Sequence, residues 1–304
     1  MQNRRKSLFV IMGRIIQLIP PFFINWVEFF LHKKNIKNFP LIFIVSPPRS
    51  GSTLTYQILS RGTKSLCLTN IWNLLYSIPL IGGLLSKKRS NLGISFDSDR
   101  GFVPGIFGEA EGLRFWKYWF GQGLEEKDDL ILVKRVGYIK KVFGRLIKED
   151  YPFVSGYLGH SFSINNLRKL FPGVIFLYIK RDKLSNIYSM YKTGKDFEWF
   201  SLKPKEWEDA LKLPIHDRFV WQYNRITEKI EAEIRHADTL IVNYEEICKD
   251  PKAFLNKFRL FAIQHGINIE LDLNMIPDAF DVSIIDPMLD DNSIRINDIL
   301  LQDE

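Results

Sequence analysis

The residues with the clearest chemical purpose lie near the start of the chain, in Pro48-Arg-Ser-Gly-Ser-Thr53. An apolar run, Leu41-Ile-Phe-Ile-Val45, precedes them, and helical spacing through Leu54, Ile58 and Leu59 comes after. Strand, loop and helix in that order put the loop at a helix N-terminus, where unpaired N–H groups and the positive end of the helix dipole attract phosphate-like anions. Gly51 lets the backbone turn tightly against a ligand, Ser52 and Thr53 bring hydroxyl donors, and Arg49 adds a permanent cation over the same oxygens. A nucleoside-triphosphate loop needs Gly, four residues, then Gly-Lys and Ser or Thr. Here Ser46 replaces the first Gly and Ser52 stands where the Lys should follow Gly51. An ATPase or GTPase is therefore disfavoured. No aspartate suited to Mg²⁺ follows a strand at a suitable distance, and Cys67 and Cys248 make no metal-ligand pattern, so no metal is expected. The two cysteines read as reduced thiols.

Following a buried strand, this loop resembles the 5'-phosphosulfate loop of sulfotransferases that use 3'-phosphoadenosine 5'-phosphosulfate (PAPS), whose pattern is Pro-(Lys/Arg)-(Ser/Thr)-Gly-(Thr/Ser)-Thr. A second segment adds to the likeness. Val174-Ile-Phe-Leu-Tyr-Ile179 is another buried strand, it leads to Arg181, and Ser189 comes eight residues later on the next helix. That arrangement is similar to the family's 3'-phosphate signature, in which the arginine clamps phosphate bidentately and the serine donates a hydroxyl. Ser185, one helical turn earlier, could share the task. Val242-Asn-Tyr-Glu-Glu-Ile247 followed by Asp250-Pro251 resembles a late family segment, so the likeness runs roughly from Leu41 to Phe261. It implies a PAPS cosubstrate held by Arg49, Ser50, Gly51, Ser52 and Thr53 at one end and by Arg181 and Ser189 at the other. The Gly-rich basic C-terminal segment of many animal cytosolic members has no counterpart here. The chain is more similar to bacterial or carbohydrate-type members.

If the resemblance carries over, sulfuryl transfer needs charge stabilisation on the leaving phosphate oxygen and a proton acceptor for the attacking hydroxyl. Arg49 matches the position of the family's stabilising Lys or Arg. For the base, His160 lies 21 residues before Arg181, near where cytosolic members place a catalytic histidine, and Glu111 follows a long loop, as in members that use a carboxylate. Glu109 is too close in sequence to separate from Glu111, and the reading leans slightly to Glu111. Phe115, Trp116, Trp119 and Phe120 either line an acceptor cleft or form a core face, and helical spacing favours the core. Lys134-Arg135 and Lys140-Lys141 either hold an anionic acceptor or are solvated. The acceptor expected from the family type and the apolar N-terminus is a saccharide or lipid-linked glycan.

Strands alternating with helices are required to position these groups, and 304 residues suit one α/β domain. The expected fold is α/β, a P-loop-like central parallel sheet flanked by helices, with a helical N-terminal extension. Further strands are expected at Asp129–Val133, Phe153–Ser155 and Leu240–Val242. Helices are expected at Glu111–Phe120, Tyr138–Glu149, Ser163–Phe171, Asp217–His236 and Pro251–His265. The divisions are an apolar and basic extension over 1–38, the α/β domain over 39–270, and an acidic tail over 271–304. Leu8 to Leu31 is apolar after Arg4, Arg5 and Lys6, but Arg14, Pro20 and Pro21 interrupt it. The extension is read as helices that pack on the domain or touch a membrane surface, and the protein as cytoplasmic, with or without that contact.

Net charge is +7, with ten acidic residues and one basic between Glu270 and Glu304, so the remainder is strongly basic. A basic body suits anionic ligands. No zinc finger, recognition helix or RNA-binding aromatic signature accompanies it, so nucleic acid is not the expected partner. The alternatives are a P-loop-type nucleotide phosphotransferase and a non-catalytic nucleotide-binding protein of the same fold.

Overall fold

The computed structural model describes residues 40–87, 96–99, 101–127, 133–148, 151–199, 201–282 and 284–302. Its strands are β1 (Leu41–Val45), β2 (Leu66–Cys67), β3 (Phe153–Ser155), β4 (Ile175–Lys180) and β5 (Thr239–Asn243), in the spatial order β2-β3-β1-β4-β5. Every pairing is parallel, as continuous apolar strands predict. The helices are α1 (Ser52–Gly62), α2 (Asn70–Leu74), α3 (Pro79–Ser86), α4 (Leu113–Phe120), α5 (Val133–Leu146), α6 (Ile164–Leu170), α7 (Lys183–Gly194), α8 (Trp207–Ala210), α9 (Ile215–Glu233), α10 (Tyr244–Lys249), α11 (Pro251–Gln264) and α12 (Asp291–Gln302).

Side-chain alternation in β1 divides the core into two layers. Leu41, Phe43 and Val45 face Phe115, Trp116, Phe143 and Phe153 on one side of the sheet. Ile42 and Ile44 face Ile58, Leu59, Leu255 and Phe258 on the other. In β4, Phe176 and Tyr178 join the first layer, while Ile175, Leu177 and Ile179 join the second. Both faces of both strands are thus covered, which accounts for sequences without a polar face. Phe115, Trp116, Trp119 and Phe120 of α4 are buried, Trp119 the most exposed of them at 3%, so these four side chains are core and line no acceptor cleft.

The strand order also fixes where a ligand can sit. From β1 the chain crosses to β2 on one flank, whereas β4 lies on the other flank of β1. Loops leaving the carboxyl ends of β1 and β4 therefore part at a topological switch point, the usual binding crevice of open α/β sheets. Val45 pairs with Tyr178, which brings the segment after Val45 beside the segment after Lys180.

Differences from the sequence reading have local causes. β2 has two residues, too short to show a period. In place of the expected strand end at Val133, α5 starts there, because Val136, Ile139, Val142, Phe143 and Leu146 continue one buried helical stripe. The rest of the expected Asp129–Val133 strand and the 1–38 extension lie outside the described residues. The acidic stretch is partly folded onto the body. Asp290 caps α12 by accepting from Ser293 N at 2.7 Å, and Ile296 and Leu300 are buried with residues of α7 and α9. Among the described residues no helix is long and apolar enough to cross a membrane.

Candidate active site

The loop between β1 and α1 is built from main-chain constraints. Gly51 caps α1 at φ 83°, ψ 15°, and its carbonyl accepts from Thr55 N at 3.0 Å. A Cβ on Gly51 would lie 2.0 Å from Cε2 of Tyr244, so both conformation and space demand glycine. Arg49 also has positive φ, 65°. A residue with a Cβ held there costs about 1–3 kcal/mol, which the surroundings must offset. Ser52 and Thr53 open α1, placing their N–H groups at the positive end of an 11-residue helix. Ser50 differs from the expectation. It is 1% exposed and its hydroxyl donates inward to Pro47 O at 2.9 Å, so its side chain serves the loop's own shape.

The second arm meets the first directly. Arg49 Nε donates to Ser189 Oγ at 3.2 Å, and Arg181 Nη1 donates to Arg49 O at 2.9 Å. The Arg181 guanidinium also lies 5.2 Å from the centroid of the Tyr244 ring. Asp182 caps α7, accepting from Ser185 N at 2.8 Å, while its own N–H donates to Glu245 Oε1 at 3.0 Å. Ser185 is occupied otherwise than expected. Its hydroxyl donates to Asp182 and accepts from Ile285 N at 2.8 Å, tying the C-terminal segment to α7. Two residues escaped the sequence reading. Tyr244 packs on Gly51 and beside Arg181, and its only signal was membership of the Val242–Ile247 segment. Asn186, wholly buried, contacts Ser50 Oγ at 2.7 Å, and nothing in its sequence neighbourhood marked it.

The three proposed proton acceptors part company. Glu109 is 2% exposed and grips Arg61 through Oε1 at 2.8 Å and Oε2 at 2.9 Å, with Ser60 Oγ donating at 2.9 Å. A carboxylate held this way is a structural clamp between its loop and α1. His160 has no exposure. It packs among Phe43, Trp116 and Tyr157, with Nε2 2.9 Å from Ser155 Oγ, and burial lowers its pKa well below the usual imidazole value. Those rings and Ser155 enclose the imidazole. Glu111 is half-buried, and desolvation raises its pKa to about 7. The point where a Cβ on Gly101 would stand is 3.1 Å from Glu111 Oε1 and 3.6 Å from Thr53 Oγ1. Glu111 is therefore the member of the trio beside the loop. Ala110 N donating to Leu68 O at 2.9 Å and the Glu109–Arg61 pair fix its backbone there.

These residues suit a doubly anionic nucleotide. They provide a helix N-terminus with glycine at the close approach, two arginines on opposite arms, and hydroxyls at Ser52, Thr53 and Ser189. Among the described residues no group of His, Cys, Asp or Glu could hold a metal ion. Fold and loop define an α/β protein whose switch-point crevice is suited to a phosphate-type anion. The sequence profile of the Sulfotransferase family matches residues 40–261; the chain belongs to that family and is an enzyme of that class. The family implies a sulfonate donor of the PAPS kind.

Several solved structures are similar. A sulfotransferase of Mycobacterium avium is 13% identical, with 88% of this chain and 69% of that one covered, at a TM-score of 0.45. The sulfotransferase domain of the olefin synthase of Synechococcus PCC 7002 is 16% identical, covering 89% and 97%, at 0.40. The sulfotransferase domain from the curacin biosynthetic pathway is 14% identical, covering 88% and 99%, at 0.39. Among curated protein sequences none matches.

Proposed function

We propose that this enzyme moves the sulfuryl group of PAPS to a hydroxyl of a saccharide or lipid-linked glycan. The observation that carries the reading is the meeting of Arg49, Arg181 and Ser189, which lie 132 and 140 residues apart in sequence, at one crevice. PAPS would supply an activated sulfur bonded to a phosphate oxygen. In this reading Arg49, Gly51, Ser52 and Thr53 hold its 5' end, and Arg181 and Ser189 hold the 3'-phosphate. As the acceptor oxygen bonds to sulfur, the bond between sulfur and the bridging oxygen breaks. Arg49 stabilises the charge left on that oxygen, and the Glu111 carboxylate takes the hydroxyl proton. A pKa of about 7 leaves Glu111 substantially ionised near neutrality yet basic enough to accept that proton. Exposed Phe102, Ile106 and Leu113 on the stretch around Glu111 are compatible with an acceptor that has a hydrophobic portion. In this reading the reaction runs in the cytoplasm, with the N-terminal extension in contact with a membrane surface when the acceptor is lipid-linked.

Calorimetric titration of 3'-phosphoadenosine 5'-phosphate, the expected coproduct, into wild type and Arg181→Ala tests the reading, with ATP and Mg²⁺ as control. Tight binding that weakens by about tenfold or more in Arg181→Ala is expected, as for loss of a charge-assisted contact. Binding of Mg·ATP without binding of the coproduct would instead favour a nucleotide phosphotransferase.

A further inference from the structure

We propose that Asn186 is a positioning residue that holds Arg49 in its left-handed conformation and thereby sets where the Arg49 guanidinium points. The inference rests on the donor site proposed above and deepens it. Two of the bonds that join the two arms use groups that a bound nucleotide would also engage: Arg49 Nε to Ser189 Oγ, and Arg181 Nη1 to Arg49 O. The contacts of Asn186 with the loop lie wholly inside. With its amide oriented to satisfy its neighbours, Asn186 donates to Pro48 O at 3.1 Å and accepts from Ser50 N at 3.2 Å, with the Ser50 hydroxyl 2.7 Å away.

Pro48 C=O belongs to the peptide plane before the Arg49 Cα, and Ser50 N–H belongs to the plane after it. The dihedrals of Arg49 are the angles between those two planes. A single planar amide that bonds an atom of each plane therefore fixes φ and ψ of the residue between them. This is the residue held at φ 65°, where a side chain other than glycine needs support. A short side chain with one donor and one acceptor is required, which asparagine provides and aspartate, alanine or leucine does not. Asn186 is 0% exposed, so solvent offers no substitute.

The test is a double-mutant cycle on the affinity for 3'-phosphoadenosine 5'-phosphate, with wild type, Asn186→Ala, Arg49→Ala and the double variant titrated calorimetrically and each melted to verify folding. Asn186→Ala is expected to weaken binding about tenfold in the wild-type background. In the Arg49→Ala background the same change is expected to cost no more than about twofold, because its route of action has been removed. Should the alanine variant not fold, Asn186→Ser, which keeps one hydroxyl, completes the same cycle. Equal losses in both backgrounds, or no loss in either, would overturn the positioning role while leaving the donor site intact. Failure of the wild type to bind the coproduct would overturn the donor site and the proposal with it.

Discussion

Replacement of Glu111 by glutamine gives a test that requires no acceptor. Burial raises the Glu111 carboxyl from its ordinary 4.5 to about 7. At about 1.4 kcal/mol per pH unit, that displacement corresponds to ~3 kcal/mol. Between pH 4.5 and 7 the unfolded chain has lost this proton while the folded protein keeps it, so wild-type stability falls as pH rises through the window. Above about pH 7 both states are ionised and the group contributes no further slope. Glutamine does not titrate, so the stability of Glu111→Gln relative to wild type is expected to climb by ~3 kcal/mol between about pH 4.5 and about pH 7.5 and then level off. Urea unfolding at half-unit pH intervals measures this difference, and subtraction cancels every other titrating group the two proteins share. A flat difference would mean that the carboxylate is solvated and ordinary, and the proposal that it serves as base near neutrality would lose its foundation. Once an acceptor is in hand, Glu111→Gln is also expected to slow transfer by ~10² to 10⁴ and to abolish the rise in rate as pH approaches neutrality.

Gly51→Ala is expected to weaken coproduct binding measured by calorimetry by at least about tenfold, since its Cβ would meet Tyr244 at 2.0 Å at a φ of 83°. Glu109→Ala leaves the Arg61 guanidinium, with 5% of its side chain exposed, without its bidentate partner. A loss of ~3–5 kcal/mol in denaturant unfolding is expected, and an unchanged midpoint would refute the clamp.

Legibility in the sequence tracked the strength of the local signal. Leu41–Val45 and Val174–Ile179 were readable because strands covered on both faces need apolar residues throughout, and Arg49 and Arg181 stood out as cations in the loops just beyond those two strands. Leu66–Cys67 was not readable, since a two-residue strand is defined by its neighbour Phe153 and not by its own composition. Glu109 and Glu111 are two residues apart and chemically alike. Only the fold separates them, by handing one to Arg61 and leaving the other beside Thr53. His160 stood at a suggestive spacing, but spacing carries no information on enclosure by Phe43, Trp116 and Tyr157. Asn186 reads as an ordinary helical residue until the loop it holds comes into contact with it.

The bonds that assemble the donor crevice join residues 132 to 140 positions apart, across the β1–β4 pairing. No fragment of the chain that lacks either arm can hold a nucleotide with both, and loop closure must be completed before any binding energy is returned. During synthesis, Arg49 emerges long before Ser189, so the first arm waits on the ribosome for its partner. On the proposed donor site, donor binds only chains whose central sheet has closed, and at about a hundred times its dissociation constant it would add ~3 kcal/mol against their reopening. On that reading the supply of cosubstrate would set lifetime against proteolysis as well as turnover.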